Sequence, residues 1–172
     1  MQDIKGIPKA KLLQVAETVV EKFINLPQNP NPGRKGCYIG VVSKERGIVK
    51  VQLATELGYC KPEKVSKYFR FCLEKPMRIL EHGEFSSWQS RDVDSEKYGG
   101  AVTAHPRSKG PKAGRGIAIG ISGFTEHGDE AVALVIGLAL NLFILEDAKR
   151  VIKISGNELF YPMVEKCAKL FM

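Results

Sequence analysis

The densest group of side chains able to do chemistry is His127-Gly128-Asp129-Glu130. An imidazole and two carboxylates this close can share a metal ion or divide acid and base roles. They also stand just ahead of a long apolar run. Acidic side chains in a helix's first turn take up free N–H groups and complement the positive end of its dipole. Capping is therefore the simpler reading, and no metal site is expected.

A second group is basic. Arg107, Lys109, Lys112 and Arg115 lie between Ala104 and Gly116 without an acid among them, and supply four of the seven net positive charges. Glycine-rich turns such as Gly110–Gly116 can cradle phosphate oxygens with backbone N–H groups. Yet the order G-x-x-x-x-G-K-[ST] is missing, and Gly114-Arg115-Gly116 leads into a strand instead of a helix. The segment reads as a solvated hairpin tip. Gly120-Ile121-Ser122-Gly123 stands where a nucleophile elbow would, but Phe124 takes the place of its last glycine and no histidine follows His127. Ser122 and Gly123 fit a tight turn. His82 and His105 are isolated, and any of the three histidines could ligate a haem iron. Cys37, Cys60, Cys72 and Cys167 show neither a C-x-x-C pair nor zinc-like spacing, and so read as reduced core thiols of a cytoplasmic protein.

These residues must be held by helices and strands. Leu12, Ala16, Val19, Val20 and Phe23 mark one face of a helix over about Pro8–Ile24, which the prolines of 27–32 stop. Tyr38–Val42 and Ile48–Leu53 are β-rich runs joined by a turn at 43–47. A helix over about Pro62–Leu80 sets Val65, Tyr68, Phe69, Cys72, Leu73 and Ile79 opposite Lys61, Lys64, Lys67, Arg70, Lys75 and Arg78. Pro76 should bend it or end it early. The basic face could lie along nucleic acid, but no stacking motif accompanies it, so a solvated face is the default. Gly99–Thr103 and Ile117–Ser122 read as strands. The glycine and alanine of the latter suggest close packing beneath a helix. Ala131–Leu145 reads as a buried helix, too short to cross a membrane. Ser155-Gly156-Asn157-Glu158 has capping-box spacing ahead of a last helix.

Hairpins and helices do not alternate regularly, which argues for an α+β domain with an antiparallel sheet. A chain of 172 residues fits a single domain over 1–172 with a core that needs no disulfides. The first residues, Met1-Gln2-Asp3-Ile4-Lys5, show no secretory signal. A net charge of +7 permits an anionic partner without requiring one.

Tyr98-Gly99-Gly100-Ala101-Val102, then Gly116–Gly123, then Asp129–Leu134, resembles the haem-degrading-like superfamily. Its members include glycolate-operon accessory proteins, the C-terminal domain of a cobalamin-pathway adenosyltransferase and secreted haem-sensing proteins. The resemblance covers roughly 37–142, so the first and last helices are additions. It departs at Ala101-Val102, where the family often has a proline, and in the basic loop from His105 to Gly114. It implies a profilin-like fold, a central antiparallel sheet with helices on both sides, assembled as dimers or larger homo-oligomers. It also implies binding of haem, a corrinoid or a related small cofactor, and transfers no liganding residue.

The expected function is a cytoplasmic accessory protein for such a cofactor, without established catalysis. The alternatives are a small enzyme using His127, Asp129 and Glu130, or a basic module for nucleic acid or another polyanion. The expected pocket lies between Gly99-Gly100, Gly123, the basic loop and His127. Arg107, Lys109, Lys112 or Arg115 would face propionates there, and His105 or His127 would be the axial ligand.

Overall fold

The computed structural model describes residues 3–104 and 116–172. Two short strands, β1 (Asp3–Ile4) and β2 (Ile7–Pro8), pair ahead of helix α1 (Lys9–Ile24). The main sheet starts with a long hairpin, β3 (Lys35–Glu45) and β4 (Ile48–Tyr59). Arg46 and Gly47 form its turn with φ of 49° and 79°. Positive φ at both positions matches the twist of the flanking strands. Helix α2 (Pro62–His82) follows, then β5 (Ala101–Thr103) and β6 (Ile117–Ser122). The strand order is β4-β3-β6-β5, antiparallel throughout. One face carries α2 over Val42, Ala101 and Ala118. The other, with Ile39, Val41, Ile119 and Ile121, carries α1 and α3 (Glu126–Ala139). The fold is α+β with helices on both faces of an antiparallel sheet, as the sequence suggested. It is compatible with a profilin-like arrangement.

Pro76 neither ends nor shortens α2, which runs on to His82. A proline inside a helix leaves the carbonyl four residues back without its donor, here that of Cys72. That oxygen sits against the sheet where Gly40 and Gly120 lie opposite each other on β3 and β6. Their flanking partners are Ala54 and Ala101, so a row of small residues crosses all four strands. A Cβ on Gly120 would come within 2.5 Å of both the Cys72 oxygen and Pro76 Cδ. The missing side chains let α2 descend onto the sheet, the close packing expected of Gly120.

The apolar run divides. Helix α3 stops at Ala139, Asn141 takes a φ of 55°, and a further helix, α4 (Leu145–Ser155), begins. Residues 128–137 are all buried, beneath β5, β6, α1, α4 and α5 (Phe160–Lys166). Helices of the same chain therefore cover much of this apolar helix. The capping box expected at Ser155 and Glu158 is not formed. Ser155 closes α4 before left-handed Gly156, and its hydroxyl points into the core. Among the described residues all four cysteines are buried and unpaired, and no helix is long and apolar enough to cross a membrane.

The small-residue row yields a stability prediction. Gly120→Val should destabilise the fold by about 1–3 kcal/mol or more, because neither backbone nor proline ring can yield. Gly33→Ala, at a site with nothing within 4 Å of the added methyl, should stay within about 0.5 kcal/mol. Urea unfolding of the two variants beside wild type checks both.

Candidate functional site

The descent of α2 brings Lys75 to the end of β6. Its ammonium donates to the Ile121 carbonyl at 2.8 Å and to Asp129 Oδ2 at 3.1 Å. Asp129 lies in the first turn of α3, whose N-cap is Thr125, with Oγ1 accepting from the Gly128 amide at 3.1 Å. Asp129 Oδ1 accepts the Phe124 amide, just outside the helix, at 2.9 Å. Side-chain exposure of the two partners is only 3% and 4%. Burial pushes the Asp129 carboxyl up, opposed chiefly by the Lys75 charge beside it. Gly100, at a φ of 112°, backs the pair. A Cβ there would lie 2.6 Å from Asp129 Cβ and 2.9 Å from Lys75 Nζ.

Above this ion pair opens a cleft of about 160 Å³. Lys75, Asp129 and Ser122 line it together with Tyr68 and Tyr98, and Arg34, Lys64 and Lys67 bring positive charge to it. Arg34 Nη1 donates to the carbonyls of Gly123 and Phe124 at 3.3 and 2.7 Å, which ties the chain entering β3 to the turn before α3. The other acid of the lining, Glu126, is already engaged. It accepts both arms of Arg91 at 2.9 Å and the Gly99 amide at 2.8 Å. Burial alone would raise its carboxyl, but these donors outweigh burial and hold it below the usual glutamate range. Among the described residues no carboxylate lies within ion-pair distance of Arg34, Lys35, Lys61, Lys64 or Lys67. A wider trough of about 450 Å³ continues from the cleft, sharing Arg34, Lys64 and Tyr68 and adding Lys35 and Lys61.

Successive positions on a helix diverge by about 100°, and the group at the start of α3 disperses accordingly. Asp129 reaches the cleft. Glu130 points into the core, where Ser155, Asn157 and Ser86 donate to it at 2.5, 3.0 and 2.9 Å. His127 stacks on Trp88, with ring centroids 4.6 Å apart, and its Nε2 lies 2.9 Å from the Ser155 carbonyl. A carbonyl only accepts, so Nε2 carries the proton and Nδ1 is the ring nitrogen left with a free lone pair. Thr125 is the N-cap, Asp129 takes up the Phe124 amide just ahead of it, as expected of an acid in the first turn, and Glu130 has no part in capping. Among the described residues no three His, Cys, Asp or Glu side chains are grouped to hold a metal ion.

Of the other expected site residues, Gly99 packs against the Trp88 indole and Gly123 against the Cys37 backbone, closer than a side chain would allow. His105, Arg107, Lys109, Lys112 and Arg115 lie outside the described residues. Lys75 and Arg78 are not part of a solvated face, as their helical spacing suggested. Lys64 and Lys75 stand three turns apart on one stripe, but the segment 84–100 folds over its far end. Arg78 holds that segment, donating to the carbonyls of Ser90 and Tyr98 at 2.9 and 2.7 Å. No family model, curated protein or solved structure matches this chain.

The buried pair and the buried glutamate make different predictions. Lys75→Met leaves Asp129 uncompensated and should cost about 3–5 kcal/mol, while Lys75→Met with Asp129→Asn should cost clearly less than the two single changes summed. Chemical denaturation of the four proteins in the cycle reads this directly. Burial pushes the Glu130 carboxyl above the usual glutamate range in spite of its three donors. The folded chain then keeps a proton to higher pH than the unfolded chain. Stability from this source is present below the ordinary glutamate value and is lost as pH rises through the raised one. Unfolding midpoints measured across that window should fall in wild type, with a smaller slope in Glu130→Gln.

Proposed function

We propose that the protein binds a small organic anion in the groove formed by the cleft and trough. The observation that carries this reading is the convergence of Arg34, Lys35, Lys61, Lys64 and Lys67, none paired with a described carboxylate, around tyrosine-walled concave surface. Like charges gathered this way repel one another and favour an anion that neutralises them. The two acids of the lining do not cancel the field, because Lys75 and Arg91 already hold them. The reading agrees with the accessory, cofactor-binding role implied by the resemblance, and buried reduced thiols support a cytoplasmic setting.

Haem and corrinoids are the anions that the resemblance suggests. Haem propionates would be drawn to the same lysines. His127 is absent from the lining of both parts of the groove. That task would fall to His105. The homo-oligomer implied by the resemblance belongs to the same proposal. Among the described residues the long strand β4 pairs only on its β3 side.

Titration at low ionic strength with inorganic phosphate and with haem tests the reading. Binding should weaken as salt is added. It should weaken by about tenfold in a Lys64→Ala/Lys67→Ala variant, roughly one charge-assisted contact. Haem affinity should be unchanged in His127→Ala. Phosphate binding without haem binding would remove the tetrapyrrole, and binding of neither would overturn the reading.

A further inference from the structure

The two parts of the groove differ in chemistry. The trough is lined by Arg34, Lys35, Lys61 and Lys64 with no acid among its lining residues, and residues 30–36 form one side of it. The cleft is narrower and richer in rings, with Tyr68, Phe71, Tyr98 and Phe124 in its lining. Phe71 and Tyr98 meet edge to face with centroids 5.0 Å apart, which fixes the orientation of that wall. On its floor are groups that read polar edges. The Ser122 hydroxyl makes no hydrogen bond among the described residues, and the Asp129–Lys75 pair lies beside it. Arg34, Lys64 and Tyr68 belong to both parts, so one molecule can occupy the two together.

Resting on the organic-anion reading above, we propose that the ligand is a nucleoside di- or triphosphate, with its phosphoryl groups in the trough and its base in the cleft. A single carboxylate leaves most of the five cations unanswered, whereas two or three linked phosphates carry a matching charge. Flexible lysines suit phosphate as point charges, and Arg34 adds a planar donor fork at the junction. A planar base offers both a face for tyrosine contact and polar edges for Ser122 and the ion pair. The cleft volume admits a one- or two-ring group, and the trough takes the chain of phosphates outward to solvent.

Calorimetric titration of the full chain with ADP, pyrophosphate, inorganic phosphate and a ten-nucleotide poly-uridine separates the possibilities. ADP should bind tightest, with pyrophosphate ahead of phosphate. Lys35→Ala/Lys61→Ala should weaken ADP and pyrophosphate alike by about tenfold, while Tyr98→Leu should weaken ADP by about tenfold and leave pyrophosphate unchanged. Saturation-transfer NMR on wild type gives the same information without a variant, with stronger transfer to the adenine protons than to the ribose. Pyrophosphate binding as tight as ADP, or transfer confined to the ribose, would overturn the nucleotide assignment and leave the anion groove standing. Tighter binding of the oligonucleotide than of ADP would overturn it in favour of a polymer. Failure of all four probes would remove the groove reading as well.

Discussion

Everything at this site depends on one buried contact, the ammonium of Lys75 against Asp129 and the last carbonyl of a central strand. Desolvating two charges is expensive, and their attraction repays it only when other donors and acceptors complete the geometry. Here the Ile121 carbonyl and the Phe124 amide complete it. The contact also needs α2 close to the sheet, which Gly40 and Gly120 permit. A row of missing side chains in mid-sheet thus sets how far a lysine reaches at the strand end. It joins helices on opposite faces of the sheet through the end of β6, and so keeps the floor of the cleft fixed.

Around that floor the charges obey a simple division. Acids near the cleft are neutralised by cations from elsewhere, Asp129 by α2 and Glu126 by Arg91. Cations at its rim are left without carboxylates among the described residues. Exposed lysines on long stems are individually weak binders, and salt screens them. Concave placement changes this, since low-dielectric walls on either side concentrate the field. Arg34 has a second duty as a bracket between two loops, so the charge at the junction of cleft and trough is more firmly positioned than its lysine neighbours.

Much of the fold was legible because it rests on periodicity and punctuation. The apolar stripe of α1, the stop at three prolines, the β3–β4 hairpin and the buried strand β6 all announce themselves. The extra helix α4 was not expected. Its polar face is continuous from Glu146 to Lys153, and it is held to the core through Ala148 and Val151. Pro76 does not end α2 early, because the helix is held against the sheet where Gly40 and Gly120 leave room for the freed carbonyl. The site was harder to read. His127, Asp129 and Glu130 were visible as a cluster, yet helical geometry sends them to three surroundings. Lys75 and Arg78 have the spacing of solvent-facing residues, but the end of β6 and the head of α3 enclose Lys75 and the long return of 84–100 covers Arg78. Arg34, after the proline-rich stretch, carries no motif. Its importance comes from a contact with residues some ninety positions away.

The stretch that folds over the far end of α2 also carries Trp88, the sole tryptophan of the chain. Its indole touches both the His127 ring and the Arg91 guanidinium, with Gly99 pressed against it. Arg91 in turn grips Glu126, which lines the cleft. Indole emission from this protein therefore arises at one address, where the return segment, the head of α3 and the wall of the cleft meet. Entry of a molecule into the cleft can therefore be followed by intrinsic fluorescence, with no label added.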